Sequence, residues 1–125
     1  MTEELVTLET AKQLKDKGFN WKCEHLIDRN KVITKYDLPQ SMSCCTEIDD
    51  EPVEFLCPTL YIAQKWLREN HSIHIAVYFN QYGRWYYRLY DIKDYDFLFG
   101  TEVDKTYKSY EEALEAGIQE TLKLI

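Results

Sequence analysis

The sequence predicts an α+β fold with the element order αββαββα, in which two hairpins build one antiparallel sheet and helices pack on one of its faces. Three observations predict it. Residues 72–92 alternate apolar and polar side chains on either side of a glycine-containing turn, which is the period of a half-buried hairpin. Three other stretches place their apolar residues at helical spacing. The segments from Leu8 to Asp37 and from Leu60 to Asp91 each read as helix then hairpin, and each ends in Tyr-Asp.

The first helix runs from about Leu8 to Lys17: Thr7 supplies a capping oxygen, Leu8, Ala11 and Leu14 form the apolar stripe, and Gly18 suits a left-handed end. Trp21, Cys23, His25 and Ile27 then alternate against Lys22, Glu24 and Leu26, leading into a turn at Asp28-Arg29-Asn30-Lys31 and a strand from Val32 to Tyr36. With Arg29-Asn30 as the loop, Ile27 faces Val32, His25 faces Thr34, Cys23 faces Tyr36, and Glu24 pairs with Lys35. Residues 38–57 hold two prolines, two serines, a Cys-Cys pair and an acidic run, and read as a long acidic surface loop.

Pro58 suits the first position of a second helix, with Ile62, Ala63, Trp66 and Leu67 inward and an end near Asn70. The strong hairpin follows. A loop of Gln81-Tyr82-Gly83, with Gly83 at positive φ, sets Phe79 opposite Trp85, Val77 opposite Tyr87 and Ile75 opposite Leu89. That register sends His74, Ala76, Tyr78, Tyr86, Arg88 and Tyr90 to the other side. Within residues 93–106, Tyr95, Phe97 and Phe99 alternate like a short edge strand. The last helix is announced by a capping box, Ser109 with Glu112, and by one face carrying Tyr110, Ala113, Leu114, Gly117, Ile118, Thr121, Leu122 and Ile125. Glycine weakens a helix, so Gly117 in mid-stripe predicts a close approach.

A length of 125 residues predicts a single domain, 1–125, able to bury roughly two-thirds of its unfolded surface. Hydrophobic residues at 45% with charged residues at 30% exclude a disordered composition, and no apolar run reaches a bilayer-spanning length. The start, Met-Thr-Glu-Glu, has neither a basic nor an apolar leader region, and the expectation is a soluble cytoplasmic protein with reduced thiols. The net charge of -7 is concentrated: between Lys35 and Lys65 there is no Lys or Arg, while Asp37, Glu47, Asp49, Asp50, Glu51 and Glu54 contribute six negatives. No basic footprint of the kind phosphate backbones require is present, so neither nucleic acid nor membrane is expected as a partner.

Several segments carry a family resemblance. Pro58-Thr59-Leu60, Ala63-Gln64-Lys65-Trp66-Leu67-Arg68-Glu69, Ile73-His74-Ile75 and the run from Tyr107 to Ile118 resemble a family of small uncharacterised proteins from gut anaerobic bacteria and their phages. The stretch from Leu8 to Phe19 is similar to the same family. The likeness covers about half of the chain and skips the acidic loop. It implies an α+β fold and a prokaryotic or phage cytoplasm, and carries over no activity, ligand or site residue.

Chemistry is sparse. Cys23, His25, Cys44, Cys45, Cys57, His71 and His74 are soft ligands without the paired spacing of a zinc site, and the expectation is no metal and no cofactor. A cysteine nucleophile lacks an activating neighbourhood, and the four glycines are too scattered for a phosphate loop. The acidic loop lacks the spaced pattern of a calcium site. No catalytic residue is expected, and an enzyme is the less favoured class. The outward face of the strong hairpin remains as the candidate binding surface. His74, Tyr78, Tyr86, Arg88 and Tyr90 gather there, in the residue types that carry interface energy. The expected function is a small binding or adaptor module for a protein or small ligand, with self-association included. The alternative is a metal-binding or cysteine-dependent enzyme.

Overall fold

A computed structural model describes residues 4–101 and 105–125. Met1, Thr2 and Glu3 of the leader reading, and residues 102–104 of the 93–106 segment, lie outside them. The fold is α+β, with helices and antiparallel sheets, and the chain divides at Thr59/Leu60 into two compact units.

In the first unit, helix α1 (Leu8–Asp16) begins where expected: the Thr10 N–H donates to Thr7 Oγ1 at 3.4 Å. It ends through Gly18 at φ 90°, with the Phe19 N–H returning to the Leu14 carbonyl at 2.9 Å. Strands β1 (Cys23–Asp28), β2 (Ile33–Gln40), β3 (Glu47–Ile48), β4 (Glu51–Pro52) and β5 (Glu54–Leu56) follow. They make a three-stranded sheet in the order β2-β1-β5 and a separate β3-β4 hairpin.

The β1-β2 register differs from the expected one by a residue. Ile27 pairs with Ile33, Leu26 with Thr34 and His25 with Lys35, and an irregularity then brings Cys23 opposite Gln40. The cause is local. The Asp28 N–H donates to the Val32 carbonyl around a three-residue loop, Lys31 takes a left-handed φ of 67°, and a slip of one residue changes every cross-strand partner.

The long acidic loop is likewise corrected. Strand β2 runs through Gln40, a short 3-10 turn covers Met42–Cys44, and Asp49 and Asp50 at φ 54° and 63° form the tight turn of the β3-β4 hairpin. Phe55 and Leu56 are buried as β5 pairs with β1. Strands of two or three residues are too short to display a period in sequence. Pro58 is not helical: its carbonyl accepts the Val6 N–H at 3.0 Å, and Leu5 bridges Thr59.

The second unit holds α2 (Leu60–His71), β6 (Ile73–Phe79), β7 (Trp85–Asp91), β8 (Asp96–Gly100) and α3 (Tyr110–Leu124). The β6-β7 register is the expected one at every position, from His74 opposite Tyr90 to Phe79 opposite Trp85. Gly83 stands at φ 76°. Ile73, Ile75, Tyr87 and Leu89 face inward, and their core is completed by Ala63, Trp66 and Leu67 of α2 and by Ala113, Leu114, Ile118 and Leu122 of α3. The Ser109 cap forms, with the Glu112 N–H donating to Ser109 Oγ at 3.1 Å, and the Glu112 carboxylate accepts from the Lys108 N–H at 3.2 Å, one residue before the position a capping box calls for. Gly117 lies against the sheet: a Cβ there would stand 2.7 Å from Ile75 Cγ2 and 3.2 Å from the Tyr87 ring. The inward set frays at the hairpin tip, where Phe79 is exposed and Trp85 is half-buried, edge-on to Tyr110.

Strand β8 completes the order β6-β7-β8. It pairs Phe99 with Leu89 and Phe97 with Tyr90, leaving Leu98 as an extra, bulged residue. At the opposite margin the Gln64 side chain of α2 donates to the Ile75 carbonyl at 2.8 Å. The hairpins therefore lie in two sheets, where one was expected. The third strand joins β1 in the first unit and β7 in the second, so the helix-hairpin repeat does not extend to strand order.

Candidate functional site

Period-two alternation along β6, β7 and β8 places His74, Ala76, Tyr78, Tyr86, Arg88, Tyr90, Phe97 and Gly100 on the face turned away from the helices. All five predicted binding residues are thus brought together on one surface. Tyr78 and Tyr86, directly opposite each other, stack at 5.3 Å between ring centroids with 22° between planes. The Arg88 guanidinium carbon lies 5.5 Å from the Tyr78 ring centre and 5.9 Å from that of Tyr86. Aromatic faces attract a cation at this range.

Phenol oxygens complete the cluster. The Tyr78 and Tyr90 hydroxyls stand 3.4 Å apart. The Tyr78 contact and then the Arg88 guanidinium hold the Tyr90 phenol below its ordinary range, because both favour the phenolate. The same contact pushes the Tyr78 phenol up. Burial and then the neighbouring Arg68 charge hold His74 below the usual imidazole range, which keeps it neutral at pH 7.

Two contributors escaped the sequence reading. Phe97 packs edge-on to Tyr90 at 5.9 Å, and Gly100 leaves room for its neighbours: a Cβ there would stand 3.1 Å from Arg88 Cγ and 3.2 Å from the Phe97 ring. Simple alternation puts Phe97 and Phe99 on one side. The bulge at Leu98 separates them, so Phe97 joins the tyrosines while Phe99 faces Tyr87.

This face is electrostatically distinct from the rest of the chain. None of its outward register positions holds Asp or Glu, although the protein carries 22 acids against 15 Lys and Arg.

The thiols are in the first unit. Cys23 and Cys57 are buried, Cys23 bonding the Trp21 carbonyl at 3.4 Å and Cys57 the Val6 carbonyl at 3.4 Å. Burial pushes the Cys23 thiol up to about 12. Cys45 is half-buried and raised by burial and then by Glu54. Exposed Cys44 is lowered by its bonds with Ser41, whose Oγ lies 3.6 Å from Sγ. Among the described residues, no three His, Cys, Asp or Glu side chains are grouped to hold a metal ion.

An open depression of about 380 Å³ is lined in part by Asp28 and Glu54. Both carboxylates are engaged by backbone: Asp28 by the N–H groups of Asn30 and Val32, Glu54 by that of Thr46. Among the described residues, no helix is long and apolar enough to cross a membrane.

Comparison of the chain with family models, curated proteins and solved structures finds no match.

Proposed function

We propose that this chain is a small cytoplasmic binding or adaptor module, of bacterial or phage origin, that engages its partner through the outer face of the β6-β7-β8 sheet. One arrangement carries this reading: an arginine set against two stacked tyrosines and a pair of hydrogen-bonded phenols, on a half-exposed sheet face. Tyrosine and arginine give large contact area with directional bonding at little conformational cost, and such residues dominate interface energetics. None of these side chains is needed to fill the core, which is built from the opposite face. The resemblance to small proteins of gut anaerobes and their phages supports the setting.

The test pairs Tyr86→Ala with Arg88→Ala. The double variant keeps the wild-type melting temperature within a few degrees and loses a partner that the wild-type chain captures from host lysate. Unfolding of the variant, or capture equal to wild type, overturns the reading.

A further inference from the structure

Three charged side chains line the open depression of the first unit, and the local fold needs none of their charges. The depression, about 380 Å³, has Asp28, Arg29, Thr46, Ile48, Val53 and Glu54 in its walls. Backbone ties those walls together: the Arg29 N–H donates to the Val53 carbonyl at 3.1 Å, and the Val53 N–H to the Thr46 carbonyl at 3.0 Å. Asp28 stands directly opposite Glu54 in the β1-β5 ladder, where like charges oppose folding. Each carboxylate is anchored through one oxygen, Asp28 Oδ1 by the N–H groups of Asn30 and Val32, and Glu54 Oε1 by that of Thr46. A neutral amide anchors such a turn equally well, as Asn80 does in the second hairpin. The two negative charges are therefore surplus to the bonds these side chains make. Exposed Arg29 meets no carboxylate at ion-pair distance among the described residues.

We propose that this depression is a binding site for a free basic α-amino acid of the lysine or ornithine kind. Two negative charges and one positive charge in the walls complement the two ammonium groups and one carboxylate of such a ligand, charge for charge. The ammonium groups meet Asp28 and Glu54 and relieve their opposition; the carboxylate takes the planar edge of the Arg29 guanidinium. The methylene stem lies along Val53 and Ile48, the latter 56% exposed in the unbound chain. Side chains already anchored by backbone lose little freedom on binding, and the volume falls at the small end of the range for small-molecule sites. The depression belongs to the first unit and the aromatic sheet face to the second, so this site and the contact surface stand or fall separately.

The test titrates the full chain by NMR with four compounds: L-lysine, L-norleucine, which lacks the side-chain ammonium, 1,5-diaminopentane, which lacks the carboxylate, and lysine capped at both ends, the form present in a peptide. L-lysine is expected to bind saturably and to shift the amide signals of Asn30, Val32 and Thr46. The other three bind more weakly by about tenfold or more. Glu54→Gln, which keeps an oxygen for Thr46, weakens L-lysine by a similar factor. Arg29→Gln weakens L-lysine but leaves 1,5-diaminopentane unaffected, a split that general damage to the fold does not produce.

Absence of saturable L-lysine binding overturns the proposal, as does binding of norleucine, diaminopentane or capped lysine equal to that of L-lysine. Equal loss of L-lysine and diaminopentane in Arg29→Gln also overturns it. The comparison of ligands uses the wild-type chain, so it decides the matter even where a substitution unfolds the protein.

Discussion

Asp28 and Asn80 hold equivalent positions in the two helix-hairpin segments and make the same hydrogen bonds. Asp28 Oδ1 accepts from the N–H groups of Asn30 and Val32 at 2.8 and 2.9 Å, and Asn80 Oδ1 accepts from those of Tyr82 and Arg84 at 2.9 and 3.0 Å. Each residue also donates its own N–H across the loop, to Val32 and Arg84 respectively. A side-chain oxygen reaching its own backbone two residues on pre-forms a turn. The hairpins share one turn design written with different residues.

The residue closing each loop tests that equivalence. Lys31 and Gly83 both stand at positive φ, 67° and 76°, where a side chain is strained. Lys31→Gly is expected to stabilise by about 0.5 to 1 kcal/mol, and Gly83→Ala to destabilise by about 1 kcal/mol. Urea unfolding midpoints read both signs, and a loss of stability in Lys31→Gly refutes the shared design.

Gly117 predicts an inversion of helix propensity. Gly→Ala in a helix ordinarily gains roughly 1 kcal/mol, but here the new methyl meets Ile75 Cγ2 at 2.7 Å inside a packed core. Overpacking of this kind costs about 1 to 3 kcal/mol, so Gly117→Ala should lower the melting temperature. Adding Ile75→Val leaves Cγ2 in place and should not restore it, whereas Ile75→Ala should remove most of the penalty attributable to the clash in a double-mutant cycle.

The thiols should react in a fixed order. The thiolate is the nucleophile, and exposed Cys44 is the one whose ionisation is eased, by Ser41. Iodoacetamide at neutral pH should alkylate Cys44 first, Cys45 more slowly, and Cys23 and Cys57 only on unfolding. Peptide mapping by mass spectrometry checks the order, and Ser41→Ala should slow the first step.

Cys23 also sets an alkaline limit. Its folded thiol is raised by burial from 9.0 to about 12, so above pH 9 the unfolded chain releases a proton that the folded chain retains. Stability is therefore full below pH 9 and falls as pH rises toward 12. Cys23→Ala should flatten that slope relative to wild type in denaturation curves at pH 8, 9.5 and 11. An unchanged slope contradicts the burial argument.

What could be read from sequence follows the strength of each local signal. Gly83 marks its turn openly, so the β6-β7 register and the five outward residues were legible from alternation alone. Lys31 performs the same task without glycine's signature, and the first hairpin was read one residue out of step. Strand β5 has three residues and derives its order from pairing with β1, which no local pattern reveals. Phe97 was hidden by the bulge at Leu98, because a period-two reading assumes an uninterrupted strand. The capping oxygens of Thr7 and Ser109 were legible because such bonds close within a single turn.

The two margins of the β6-β7-β8 sheet are treated differently from its face. At one, the amide of Gln64 occupies a backbone carbonyl; at the other, Leu98 throws the strand out of phase with any straight neighbour. A sheet blunted at both sides resists accreting further strands, so at high concentration this molecule can keep its aromatic surface uncovered without seeding fibrils.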